Sequence, residues 1–469
     1  MIKISELQTK YESLLDHDVV VAGWVVTTRA QKDFTFIKIN DGSHAAGVQI
    51  VLSGCVDGFP IGSSVSVRGR LIKSPAAGQL FEIQSESVTA LGGCGSSYPL
   101  SKSKMSLEYL RGHAHLRART NTFGSVFRIK AAISQATHKF FDGQGFLHLD
   151  PNIMTVNECE GGAGVFQVTE KDISVPGRLE LAKEEFTGAD GKVQRRITDK
   201  YDWSKDHFGK PVYLTVSSQL QLEALACSLG SVYTTNKSFR SEHSSTGKHL
   251  SEFSHLEIET CFCRLEDLMD IGEGYIKFVG SYLLTEAAAD VENLGKFVSK
   301  GIEERIRGIL GARFHRVRYS DAVALAMGAG KAIKYGEDLS SEIENFLTEH
   351  FAGPVFVTHW PFAIKSFYMK QDLGDPLLCE NFDLLMPYKV GELIGGSMRE
   401  DNYDVLMAAM TAKGVSAEPM QFYTDLRKYG SVPHGGFGLG LDRMTMLFTG
   451  MENIRDVVPF PVAYRSCEF

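Results

Sequence analysis

The stretch 239–253, FRSEHSSTGKHLSEF, gathers Arg240, Glu242, Lys248, His249 and Glu252 around a Ser/Gly-rich break. A plain hairpin turn does not need that much charge. If 237–242 is extended, Arg240 and Glu242 share one face. On the return run, FSHLEIETCFC, Phe253, His255, Glu257 and Glu259 share a face, and Leu256, Ile258 and Phe262 share the opposite one. Two adjacent strands can then bury apolar residues below and present an arginine, an aromatic ring and carboxylates above. By itself this pattern also fits a half-solvated hairpin with surface ion pairs of little energetic worth. A second stretch, PHGGFGLGLDR (433–443), shifts the balance. Its glycines let a ligand lie close to the backbone. It leads into a helix expected to start near Asp442, and the first turn of that helix would hold Arg443 among amide donors that favour anions. Familiar nucleotide loops are absent: there is no GxGxxG, and MGAGKAIK (327–334) has Leu325 and Ala332 where a phosphate loop needs Gly and Ser/Thr.

The elements that must position these residues follow from pattern. Residues 18–91 contain five short β-rich runs punctuated by Gly, Pro and Asp, which suits a small closed barrel of the OB-fold type. The run GGCGSSYPLSKSK reads as a linker. A larger α/β region follows. In it, VFRIKAAISQATHKFFDGQGFLHLDP reads as an amphipathic helix, a glycine break and a strand ended by Pro151. Residues 170–210 are polar and expected to be an irregular insertion, and 282–350 to be mostly helical. The expected domains are therefore 1–95, a linker or hinge at 96–120, and 121–469.

Bulk properties narrow the class. The 469 residues suffice for two or three domains. A net charge of −8 argues against indiscriminate polyanion binding but allows a local basic patch. No run of 18 apolar residues exists, and the N-terminal stretch lacks an apolar signal core, so neither membrane insertion nor export is expected. The eight cysteines form no CxxC pair, and reduced thiols in a cytoplasmic protein are the expectation.

Three of these stretches resemble the signature motifs of class II aminoacyl-tRNA synthetases. FFDGQGFLHLDP is similar to motif 1, with its proline at a dimer interface; FRSE…HLSEF is similar to motif 2; GFGLGLDR is similar to motif 3. They occur in the family's order, and the likeness covers the whole chain. A barrel ahead of the catalytic domain resembles subclass IIb, the aspartyl, asparaginyl and lysyl enzymes. CEGGAGVFQV, YLTVSSQLQLEALACSL, IGGSMRE, YTDLRKYGSVPH and IRDVVPFPVAYRSCEF resemble the asparaginyl group most. The resemblance implies an N-terminal OB-fold and a catalytic domain built on an antiparallel sheet flanked by helices. It also implies a homodimer that uses ATP and Mg²⁺ to attach L-asparagine to tRNA(Asn) through an adenylate. An aspartyl enzyme and a non-catalytic tRNA-binding paralogue are the alternatives.

Site residues carry over by position. Arg240 would clamp the α-phosphate and the substrate carboxylate. Glu242 would hold the adenine or ribose side, and His249 would approach the γ-phosphate beside Leu250. Adenine would lie between Phe253 and Arg443, near Gly440. Glu392 and Asp383 would hold Mg²⁺, although their separation is one residue longer than the family pattern. Leu441–Asp442 stands where the family has Phe-Glu, and Met398 where Gln is usual. Gln219 and Glu160 would hold the α-amino group. Aspartyl enzymes carry QLxK at 219–222; here Leu222 replaces that lysine and Glu223 follows, a carboxylate placed to accept from a substrate amide while Arg399 donates to its carbonyl. On the barrel, Phe36 would stack an anticodon base, with Arg29 and Gln49 beside it. Bulk charge gives no support there: residues 1–92 hold eight Lys/Arg and nine Asp/Glu.

Overall fold

The computed structural model describes the chain except residues 56–57, 101–104, 158–163, 173, 175–179 and 188–191, and the Asp199 side chain. Five strands, β1 (Asp18–Ala30), β2 (Phe34–Asn40), β3 (Val48–Ser53), β4 (Ser64–Lys73) and β5 (Phe81–Gly92), close into a barrel in the order β1-β2-β3-β5-β4. The period-2 alternation of the sequence explains it. Val21, Ile37, Ile39, Ile50, Val67 and Ile83 all point inward and are fully or almost fully buried; each such side chain contributes about 1.5–3 kcal/mol. A helix at Ile4–Leu14 adds Ile4 and Leu7 to this core.

Further strands follow in chain order: β6 (Leu147–His148), β7 (Met154–Thr155), β8 (Leu181–Thr187), β9 (Val193–Tyr201), β10 (Tyr213–Leu214), β11 (Ser231–Thr234), β12 (Lys237–Phe239), β13 (Glu252–Cys261), β14 (His315–Arg318), β15 (Val355–Thr358), β16 (Asn381–Met386), β17 (Gly391–Met398) and β18 (His434–Gly440). The large sheet runs β14-β15-β16-β17-β18-β13-β11-β6, with β12 paired to β13. It is antiparallel from β15 to β11, and parallel only at its two ends. The expected motif 1 helix is present at Asn121–Gly143, and the helix after the glycine run at Leu441–Thr449. MGAGKAIK begins in the last turn of the helix Tyr319–Gly328, not in a strand-to-helix loop.

The 170–210 stretch is not irregular throughout: β8 and β9 form a regular ribbon. Its faces are held by the cross-strand ion pairs Glu185–Arg195 and Glu184–Arg196. Both faces lie in solvent, so no apolar alternation marks the strands in the sequence.

The chain forms two compact units. One comprises Met1–Ala136, Val279–Leu310 and Phe448–Phe460; the other comprises Thr137–Phe278, Gly311–Leu447 and Pro461–Phe469. Within the first unit, the stretch expected as a linker carries helices at Leu107–Arg111 and Ala114–Arg117. Arg117, fully buried, donates to the carbonyls of Arg455, Val458 and Pro459. Arg111 makes a two-pronged pair with buried Asp456. No helix among the described residues is long and apolar enough to cross a membrane.

Candidate active site

Strand β13 organises the site within the second unit. Leu256 and Ile258 are fully buried on its apolar side, while His255, Glu257 and Glu259 line a cavity of about 450 Å³ on the other. The alternation expected from sequence holds from His255 to Glu259, but Phe262, expected on the apolar face, lies past the end of β13 with a left-handed φ of 59° and is exposed. His255, Glu257 and Glu259 each face a glycine of β18: Gly440, Gly438 and Gly436. A Cβ at Gly438 would come within 2.5 Å of His255 Nε2, so the cavity wall needs bare backbone there. Burial lowers the pKa of His255, favouring its neutral form beside Ser238 Oγ at 3.1 Å. The Glu257 carboxylate accepts from the Ser218 N–H at 3.0 Å and from the Ser217 hydroxyl, which fixes its orientation.

At one end the groups suit a nucleotide. Arg240 borders the cavity with its guanidinium 5.4 Å from the centre of the Phe253 ring. Glu242 also lines it, with His249 Nε2 3.9 Å away. Burial and the nearby Arg443 lower the His249 pKa. Leu250 is buried beneath the loop. Arg443 Nη1 donates to the Glu392 carbonyl at 2.8 Å, which stretches its side chain across the strand ends next to Gly440. Asp442, the departure from the family pattern, is buried and accepts from the Ser254 N–H at 2.9 Å. Its shorter side chain ties the helix start to β13.

Asp383 and Glu392 converge despite their longer separation. Tyr388, Lys389 and Gly391 all adopt left-handed φ (65°, 63° and 76°), and the β16–β17 register shifts at Leu384/Leu385. Turn and bulge together absorb the additional residue. A Cβ built on Gly395 would lie 3.1 Å from Glu392 Oε1 and 3.7 Å from Asp383 Oδ1, so both carboxylates face one bare patch of backbone. Hard oxygen donors gathered in this way fit a magnesium ion. Lys365 Nζ lies 2.8 Å from Asp383 Oδ2 and 3.9 Å from the Trp360 ring centre. Burial, with Glu392 adding to it, raises the Asp383 pKa even against Lys365.

The opposite end is a network of buried charges. Arg399 holds Glu259 through Nε at 3.1 Å and through Nη2, and it lies 3.8 Å from Glu223 Oε1. Glu223 is fully buried and does not border the cavity. It accepts from Arg427 at 2.7 Å, His434 Nε2 at 3.1 Å, Tyr423 at 3.1 Å and Gln219 Nε2 at 2.9 Å. Burial alone would raise its pKa, but Arg427 and His434 outweigh that and hold it below the usual carboxylate range. Glu259 goes the other way: burial and the Glu223 charge outweigh Arg399.

Glu160 lies outside the described residues. Pro151, whose carbonyl accepts from Asn236 Nδ2 at 2.8 Å, sits beyond β6. On the barrel, Arg29 pairs across β1–β2 with Phe36, its guanidinium 5.3 Å from the ring centre. Gln49 pairs with Lys38 on the next strand and donates to Glu82. These side chains share the outer face, where Phe36 and Gln49 are half-buried and Arg29 is exposed. Sequence reasoning gave no role to Glu257, Glu259, Lys365, Tyr423, Arg427 or His434. The parity of β13 marked the first two. The others lie far apart in the chain and only folding brings them to the site.

Comparison with known proteins agrees with this geometry. The family described as tRNA synthetases class II (D, K and N) matches residues 106–463, and the OB-fold nucleic acid binding domain matches 19–91. Asparagine–tRNA ligase of Clostridium kluyveri is 40% identical, covering 99% of each chain. That of Protochlamydia amoebophila is 42% identical, covering 96% of this chain and 95% of the relative. The crystal structure of asparaginyl-tRNA synthetase from Pyrococcus horikoshii with asparaginyl-adenylate superposes with a TM-score of 0.82 at 29% identity, covering 98% of each chain. The chain belongs to the class II tRNA synthetases, and within them to the asparagine–tRNA ligases.

Proposed function

We infer that the chain activates L-asparagine with ATP and transfers it to tRNA(Asn). The observation that carries this reading is one cavity with two chemically distinct ends: Arg240 and Glu242 with the paired carboxylates Asp383 and Glu392 toward a nucleotide and its metal, and Arg399 beside Glu259 toward a small polar side chain. In the first step an asparagine carboxylate oxygen attacks the α-phosphorus of ATP, and pyrophosphate leaves. In the second the terminal ribose hydroxyl of the tRNA attacks the acyl carbon, and AMP leaves. Carboxylate and triphosphate repel each other, so the protein's task is alignment and charge neutralisation. Arg240 bridges the two reacting anions, Glu242 orients the nucleoside, and Phe253 with Arg443 encloses adenine. Asp383 and Glu392 would hold Mg²⁺, which when bound screens the phosphates.

Glu257, fixed by Ser217 and Ser218, suits the α-amino group together with Gln219. Glu223 is the amide reader in this account. Glu223 lies behind Gln219, whose Nε2 donates to it at 2.9 Å, so a substrate amide NH₂ would reach it by taking the place of Gln219 Nε2. Arg399 donates to the side-chain carbonyl, and Glu259 holds Arg399 in place. Aspartate would bring a third carboxylate to Glu223 and Glu259 with no lysine at Leu222 to meet it. Polar readout of this kind reaches discrimination of order 10⁴.

The barrel face around Phe36 is proposed to take the anticodon, the motif 1 edge to form a homodimer, and the cytoplasm, where tRNA and ATP meet, to be the site of action. The test is ATP–pyrophosphate exchange with each amino acid in turn. Exchange with asparagine and almost none with aspartate is the expected result. Arg240→Ala and Arg443→Ala should each lose about 3–4 kcal/mol of transition-state stabilisation. Near wild-type exchange in either variant overturns the assignment.

A further inference from the structure

The helix Ser341–His350 brings a further carboxylate, Glu344, against the backbone next to Glu392. Its carboxylate packs against the Gly391–Glu392 backbone and lies within electrostatic reach of Lys248, Arg443 and the Glu392 carboxylate. A Cβ on Gly391 would collide with the Glu344 carboxylate and sit 3.4 Å from Lys248 Nζ. Gly391 therefore has two reasons to be glycine: its φ of +76° and the close approach of Glu344.

The consequence is a two-sided grip on the main chain of one residue, Glu392. The Glu344 carboxylate packs against the backbone on the N–H side of Glu392, and Arg443 donates to the Glu392 carbonyl at 2.8 Å. This grip falls where the backbone leaves the left-handed turn at Tyr388 and Lys389 and enters β17 beside the register shift. Left-handed non-glycine residues cost of order 1 kcal/mol each and persist only when their surroundings enforce them. A carboxylate beside another carboxylate is itself unfavourable unless cations offset it; Lys248, on the loop that carries His249, supplies one.

We propose that Glu344 is a positioning residue for nucleotide activation: it fixes the Glu392 main chain so that the Glu392 carboxylate faces the metal, and it holds Lys248 at the phosphate end. This rests on the activation reaction proposed above. The chemistry separates into two parts. Packing against the Glu392 N–H side needs only an acceptor, which glutamine keeps. The hold on Lys248 needs the charge, which glutamine loses.

The test uses the full chain and the variants Glu344→Ala, Glu344→Gln, Lys248→Met and the Glu344→Gln/Lys248→Met double. Outer-shell changes of this kind typically cost about 10–100-fold in metal affinity. Glu344→Ala should weaken Mn²⁺ binding, followed by electron paramagnetic resonance with a methylene analogue of ATP, by at least about 10-fold, with the asparagine KM unchanged in exchange. Glu344→Gln should restore Mn²⁺ affinity. It should raise the ATP KM to the same extent as Lys248→Met, and the double variant should be no worse than either single one. Unchanged Mn²⁺ affinity in the alanine variant, a parallel rise in the asparagine KM, or additive loss in the double variant overturns the proposal. If the alanine variant does not fold, the glutamine, methionine and double variants still decide the Lys248 part. A wild-type chain that exchanges with no amino acid refutes the reaction; an active wild type with an indifferent Glu344 refutes this proposal alone.

Discussion

Each charged side chain of the amino acid end is positioned by another, and that sets what a substitution can teach. Glu223→Ala would leave Arg427, His434 and Arg399 around an empty space; removing one partner of a buried pair costs about 3–5 kcal/mol. Glu223→Gln keeps the shape and removes the charge. It should bring the asparagine-to-aspartate preference in pyrophosphate exchange toward unity, while Glu259→Gln should lower kcat/KM for both amino acids by loosening Arg399. A retained preference in Glu223→Gln would move the reading of the amide to another residue. The same network gives a pH signature. Burial pushes the His434 pKa down, but the Glu223 bond and charge outweigh it and raise it above 6.5. The stability His434 contributes is then fully present below about pH 6.5 and is lost as pH rises through its folded value. The melting-temperature deficit of His434→Gln should accordingly be larger at pH 6 than at pH 9; an equal deficit at both would show that His434 contributes through packing alone. Arg240, Glu242 and Glu223 were legible because a motif or a replaced lysine marked them. Arg427 and Tyr423 were not, because a buried partner 200 residues away leaves no local pattern.

At the scale of elements, period-2 runs carried most of the information. The five barrel strands and the two faces of β13 follow from alternation, since one face of each meets an apolar core. The β8–β9 ribbon was missed for the opposite reason: both its faces are wet. The turn between β16 and β17 was legible only as a spacing one residue longer than the family pattern, because left-handed φ at Tyr388 and Lys389 has no sequence signature in non-glycine residues. The outer face of β1 and β2 supports a prediction of its own. Phe36 is half-buried under Arg29 rather than packed into the barrel core, so Phe36→Ala should fold normally. Removing a base-stacking ring costs about 1–3 kcal/mol. Charging of tRNA(Asn) should therefore fall by roughly 5–150-fold in kcat/KM, with tRNA-independent exchange unchanged. Loss of both activities together would mean that the ring supports the fold instead.

At the scale of the molecule, the expected cut into barrel, linker and catalytic domain is only partly the division the chain makes. Residues 279–310 and 448–460 join the compact unit that holds the barrel. The ties inside that unit, from Arg117 to the carbonyls at 455–459 and from Arg128 to Asp290, span more than 150 residues. No periodicity or composition shift announces them. In the other unit, β6 ends the large sheet with two residues and, among the described residues, one partner strand. Around it, Leu147, Ile153, Met154 and Val156 stand exposed on the stretch similar to motif 1 and just beyond it. An unpaired sheet edge beside apolar side chains is a ready surface for a second copy of the same element, and a two-fold contact would place each Pro151 against its counterpart's edge. The chain should therefore sediment as a homodimer. Substituting Leu147 and Met154 together with glutamate should yield monomers, because two like charges would face each other across a dry contact. These monomers should lose exchange activity in proportion to dissociation if the interface braces the site. Sedimentation velocity across a dilution series, with exchange measured on the same samples, decides it: a wild-type chain that is monomeric and fully active at sub-micromolar concentration rules the dimer out as a requirement for catalysis.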